Sequence, residues 1–91
     1  MIELGGNILL EGFEGLDPAQ LIVIKKMIGN FTKIANENIN LDSFQVIKEN
    51  NKIKIKIKKA DKELISEANE ENLFYSLSKA ALSIIAKTKT L

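Results

Sequence analysis

The stretch Asn51-Lys52-Ile53-Lys54-Ile55-Lys56-Ile57-Lys58-Lys59 decides the architecture. Three isoleucines alternate with lysines, and successive side chains of a strand point to opposite faces, so the segment reads as one strand with an apolar and a cationic face. A helix would scatter this period-two pattern around its circumference, and β-branched residues suit a pleated surface. The isoleucine face requires a core, whereas the lysine face can stay in water.

Hairpins extend this strand on both sides. Upstream, Leu41 to Glu49 alternates, with Phe44 and Val46 on one face and Gln45, Ile47 and Glu49 on the other. Asn50-Asn51 between the two strands tolerates the positive φ of a two-residue turn. Such a turn pairs Glu49 with Lys52, Ile47 with Lys54 and Gln45 with Lys56, and sets Val46 opposite Ile55 and Phe44 opposite Ile57. Downstream, a short turn at Lys59-Ala60-Asp61 leads into a strand over residues 62–68. Pairing Lys58 with Glu63 then sets Ile65 against Lys56, Glu67 against Lys54, Leu64 against Ile57 and Ala68 against Ile53. One register thus gives the isoleucines same-face partners and sets two lysines against glutamates.

Two helices and one further strand complete the pattern. Asn7 to Phe13 is short, apolar and bounded by glycines, which reads as the first strand, with Gly5-Gly6 as a bulge or turn before it and Gly12 and Gly15 loosening its exit. In Asp17-Pro18-Ala19-Gln20, Asp17 caps a helix, Pro18 fits its first position and Gln20 occupies the capping-box site. This helix runs to about Asn36 with a buried stripe of Leu21, Ile24, Ile28, Phe31 and Ala35, and with Met27 and Ile34 beside it. Gly29 inside it is explained by a close approach to the sheet. Asn69 caps a second helix from Glu70 to about Lys87, with the acids Glu70 and Glu71 in its first turn and a stripe of Leu73, Phe74, Leu77, Ala80, Ala81, Ile84 and Ile85. The expected fold is a single α+β domain over residues 1–91 of order β-α-β-β-β-α. Its first two strands are parallel through a right-handed crossover, and both helices lie on the isoleucine face of a four-stranded mixed sheet.

Composition narrows the function. Ninety-one residues with 45% apolar and 27% charged side chains have the make-up of one small folded domain, not of a disordered chain. No apolar run approaches the ~20 residues of a membrane span, and the start lacks the features of a secretory signal, so a cytoplasmic protein is expected. The chain has no histidine and no cysteine, which removes the usual general base and the usual zinc ligands. No catalytic motif is present, the glycines match no phosphate-binding loop, and no enzyme activity, cofactor or metal is expected. All thirteen basic residues are lysine. Arginine is the better bidentate reader of guanine, so DNA readout is disfavoured.

The net charge of +1 is unevenly spread: residues 1–24 carry −4, residues 25–62 carry +6, residues 63–75 carry −4 and residues 76–91 carry +3. The basic middle suits a polyanion, or the blocks neutralise one another on folding. On the lysine face, Glu49, Glu63 and Glu67 oppose Lys52, Lys54, Lys56 and Lys58, so an ion-paired, solvated sheet face ranks ahead of an RNA platform. An RNA-reading sheet would also present aromatics for stacking, where this one presents Ile47 and Ile65. Those isoleucines also suit a self-association patch and hence a homodimer through the sheet face.

The run Glu63-Leu64-Ile65-Ser66-Glu67-Ala68-Asn69-Glu70-Glu71-Asn72-Leu73-Phe74, together with Asn30-Phe31 on the first helix, resembles the short ribosome hibernation-promoting factors, the ribosome-associated inhibitors of stationary phase. There too a strand ending in small residues leads through an acidic cluster to an apolar-aromatic pair opening the last helix. The resemblance covers nearly the whole chain. It implies a non-enzymatic factor that binds small-subunit rRNA through basic residues on its helices and modulates translation. By position it assigns RNA contacts to Lys26 and Lys33 with Lys25 adjacent on the first helix, and to Lys87 and Lys89 at the end of the second. Ser83 and Ala86 stand where the family tends to be basic, and arginine is absent, so fewer phosphates would be neutralised and weaker binding is expected. The further domain of the long family members is not in these 91 residues, so ribosome dimerisation by that route is not expected. The rival reading is a protein-interaction or self-association module that uses the open sheet face and binds no RNA.

Overall fold

The computed structural model describes the backbone of residues 2–3 and 7–90 and the side chains of residues 7–90. Gly5-Gly6 lies outside the described residues. The elements are β1 (Ile2–Glu3), β2 (Ile8–Glu11), α1 (Pro18–Asn38), β3 (Ser43–Glu49), β4 (Lys52–Lys59), β5 (Lys62–Asn69) and α2 (Leu73–Thr88). The sheet order is β1-β2-β3-β4-β5. Strands β2 to β5 with the two helices make the expected β-α-β-β-β-α mixed sheet. The two-residue β1, which the sequence reading did not anticipate, pairs antiparallel with the outer edge of β2. Strand β2 runs parallel to β3, with Ile8 opposite Phe44 and Leu10 opposite Val46.

The charge and apolar alternation fixed the register at every pair considered. Glu49 faces Lys52, Ile47 faces Lys54, Gln45 faces Lys56, Val46 faces Ile55 and Phe44 faces Ile57. Across the next hairpin Lys58 faces Glu63, Ile65 faces Lys56, Glu67 faces Lys54, Leu64 faces Ile57 and Ala68 faces Ile53. The first turn places Asn50 at φ 57°, which asparagine tolerates, and the second places Ala60 at φ 56°, where a Cβ is unfavourable. Asp42 offsets the second: its carboxylate accepts from the Ala60 N–H.

Ile53, Ile55 and Ile57 are fully buried with Leu10, Phe44 and Val46 under the helices. The stripe Ile24, Ile28 and Ala35 of α1 and the stripe Leu73, Leu77, Ala80, Ala81, Ile84 and Ile85 of α2 close the core. The few buried polar side chains are all bonded. The Ser66 hydroxyl donates to the Ala80 carbonyl at 2.7 Å and ties α2 to β5. The Asn38 amide donates to the Thr88 hydroxyl at 2.8 Å and joins the ends of the two helices.

Four expectations are corrected. The cap of α2 is Asn72, whose side chain accepts from the Tyr75 N–H at 2.8 Å. Asn69 is still paired with Lys52 in β5, and Glu70 spends its N–H on the Ser76 hydroxyl, so the helix starts one turn later. Gly29 does not meet the sheet: a Cβ there would find nothing within 4 Å, because residue 29 is on the outer side of α1. Ile34 is 44% exposed instead of packed beside the stripe. Gly12 does more than loosen a strand exit, since its φ of +86° and a 2.2 Å approach of any Cβ to the Lys48 carbonyl oxygen exclude a side chain.

Candidate nucleic-acid interface

Helix α1 owes its position to its two ends. The Asp17 carboxylate accepts from the Ala19 N–H at 2.9 Å with Pro18 at the first helical position, and Gln20 makes no reciprocal capping-box bond among the described residues. At the other end Ile39 N–H closes on the Ala35 carbonyl. With Ile24, Ile28 and Ala35 turned into the core, the 100° step per residue sends Lys26 and Lys33 to the opposite, solvent-facing side. Both are exposed, Lys25 is half-buried, and none of the three joins an ion pair among the described residues. Three cations therefore lie along α1 without neutralisation.

Lys87 and Lys89 do not join that group. The Lys87 ammonium donates to the Ile65 carbonyl oxygen at 2.6 Å. Ile65 belongs to β5, an edge strand with unpaired main-chain groups, so Lys87 points to the side of α2 away from α1 and satisfies a strand carbonyl. Lys89 is exposed at the carboxyl end of α2. Helix α2 runs back along β5, so its end returns to the start of that strand, where Lys59 and Lys62 face each other in register. Like charges directly opposite are mildly destabilising. The sequence reading did not connect these two lysines with Lys87 and Lys89, although pairing Lys58 with Glu63 already implies that Lys59 meets Lys62. The opposite end of the molecule, where β2, β3 and β5 finish and both helices begin, gathers Glu11, Glu14, Asp17, Glu49, Glu70 and Glu71 beside Lys48 and Lys52.

The open sheet face is largely self-compensated on one side. Glu67 sits 3.3 Å from the Lys52 ammonium and 4.0 Å from that of Lys54. Glu49 and Glu63 form no ion pair with their cross-strand lysines. Leu9, Gln45, Lys56 and Ile65 form one row across this face, with no aromatic side chain among them on which a base could stack.

No family model matches the chain, and no curated protein matches it. Among solved structures, the crystal structure of the Thermus thermophilus Protein Y N-terminal domain is similar, with a TM-score of 0.61 over 91% of this chain and 93% of that chain at 10% sequence identity. At that identity the likeness is one of fold alone.

Proposed function

We propose that the chain is a non-enzymatic, ribosome-associated factor of the cytoplasm that binds small-subunit rRNA through basic helix surfaces and so modulates translation. The observation that carries this reading is the fold likeness to the Protein Y N-terminal domain over 91% of this chain, taken with the resemblance of the Glu63–Phe74 run to the ribosome hibernation-promoting factors. The unpaired lysines of α1 support it, since cations not neutralised within the fold are free to release counterions from phosphates. Lys25, Lys26 and Lys33 are the main contacts in this reading, with Lys89 at the far end. Lys87 contributes less, because its ammonium serves β5.

Co-sedimentation with small ribosomal subunits across a salt series tests it. With four full contacts and a weaker one at Lys87, the slope of log affinity against log salt is about −3, and replacing Lys25, Lys26 and Lys33 together by Ala weakens binding and flattens the slope by about 2. Replacing Lys54 and Lys56 leaves binding nearly unchanged. Absence of binding to subunits, or loss on the sheet substitutions alone, refutes the assignment. The rival reading, self-association through the sheet, draws on Ile47 and Ile65, but Ile47 is half-buried and Ile65 is only 38% exposed.

A further inference from the structure

Six large apolar side chains are exposed among the described residues. Only Ile65 lies on the sheet; Ile22, Val23, Ile34, Tyr75 and Leu82 are all on the helices, at 67%, 47%, 44%, 56% and 62% exposure. Their placement is set by topology. Strands β2 and β5 end at the same edge of the molecule, so α1 and α2 start together and run in the same direction. The Asn38–Thr88 bond aligns their far ends, which sets residue n of α1 level with about residue n+50 of α2 at 1.5 Å rise per residue. Val23, Met27 and Ile34 share the side of α1 that carries Asn38 and hence faces α2. Phe74, Ser78 and Ile85 share the side of α2 that faces α1, with Leu82 on its outer rim. A groove results between the helices, with half-buried Met27 and Phe74 in its floor and Val23, Ile34 and Leu82 along its lips.

Charge selects among the occupants of such a groove. Lys26 and Lys33 border this groove on α1, with Glu37 one turn beyond Lys33, whereas Lys25 lies on the far flank of α1 and Lys87 points away from it. Lys79 is paired with Glu70 at 3.6 Å, but Lys26 and Lys33 flank Val23 and Ile34 without a partner. RNA would use the lysines and leave the aliphatic lips in water, since Val, Ile and Leu offer bases no stacking surface. A second copy would bring its own Lys26 and Lys33 against these two, at an electrostatic cost. An amphipathic helix with carboxylates on its flanks satisfies both features: its apolar face fills the groove and its acids meet Lys26 and Lys33. We propose that the α1–α2 groove docks an acid-flanked amphipathic helix of another protein. This goes beyond the rRNA reading and does not depend on it.

The test uses the full chain and fluorescein-labelled model peptides of about 18 residues, with leucines at helical i, i+3, i+4 and i+7 spacing and either glutamate or lysine on the flanks. The glutamate peptide is expected to bind saturably, about tenfold or more tighter than the lysine peptide, and to shift amide resonances around Val23, Ile34 and Leu82. The double substitution Ile34→Ser with Leu82→Ser, both exposed and checked for retained folding by circular dichroism, is expected to weaken peptide binding about tenfold while leaving binding to a generic RNA duplex unchanged. Equal affinity for the two peptides, or indifference to the double substitution, overturns the proposal. So does a dimer in sedimentation equilibrium that Leu82→Ser dissolves, which would assign the groove to a second copy. Loss of RNA-duplex binding in the double variant would assign it to RNA. Failure of the rRNA reading is told apart by the lysine substitutions on α1 measured against subunits.

Discussion

Gly12 and Gly29 are the same residue type under opposite constraints. At Gly12, φ is +86° and the space for a Cβ is occupied by the Lys48 carbonyl. Gly12→Ala is therefore expected to lower stability by about 1–3 kcal/mol or more, read as a drop in the urea midpoint. Gly29 sits mid-helix with open space around it, so Gly29→Ala should raise stability by about 0.5–1 kcal/mol and the melting temperature by several degrees. The sequence placed both glycines but not their reasons. Gly12 is fixed by a carbonyl 36 positions away, whereas Gly29 follows Lys25 by one turn on the outer side that the buried stripe itself implies, so no packing reason was needed there. The caps show the same limit. In Asn69-Glu70-Glu71-Asn72 either asparagine can cap, and the choice falls to Asn72 because β5 keeps Asn69 paired. Asn72→Ala is expected to cost about 1 kcal/mol and Asn69→Ala clearly less, by chemical denaturation.

The β-meander was the most legible element because two independent codes agree there. The apolar period sets the face, and the Lys/Glu alternation sets the register, so a slip by one residue would put lysines in the core. Ile55→Ala should accordingly cost about 2–5 kcal/mol, and Lys56→Ala less than about 0.5, in thermal melts. The helices were less legible. Their buried stripes follow from the 3.6-residue period, but the exposed apolar residues Ile22, Val23 and Leu82 carry no local signal separating a lip from a core position. Among the candidate site residues, Lys26 and Lys33 were recoverable from the helical period alone. The diversion of Lys87 to the Ile65 carbonyl was not, because it depends on how α2 lies along the edge strand.

Across the whole molecule, the like direction of both helices brings six acids to the end where the helices start, beside Lys48 and Lys52, a clustering the sequence blocks only hinted at because neighbours in the chain are not neighbours at an end. The parallel pairing of β2 with β3 has a further consequence, for the order of assembly. The meander closes through two-residue turns, whereas Ile8 must find Phe44 across 36 positions of chain. The extra closure entropy is about 2 kcal/mol, and no contact rewards it until α1 has formed and docked. The meander with α2 is thus expected to nucleate folding, with β2 and α1 condensing on it late. Core truncations in β4 should slow refolding, whereas Leu10→Ala should chiefly accelerate unfolding in stopped-flow chevrons. Native-state hydrogen exchange should find the β2 amides opening at lower free energy than those of β4, so the edge that carries β1 and β2 is the end from which this molecule comes apart.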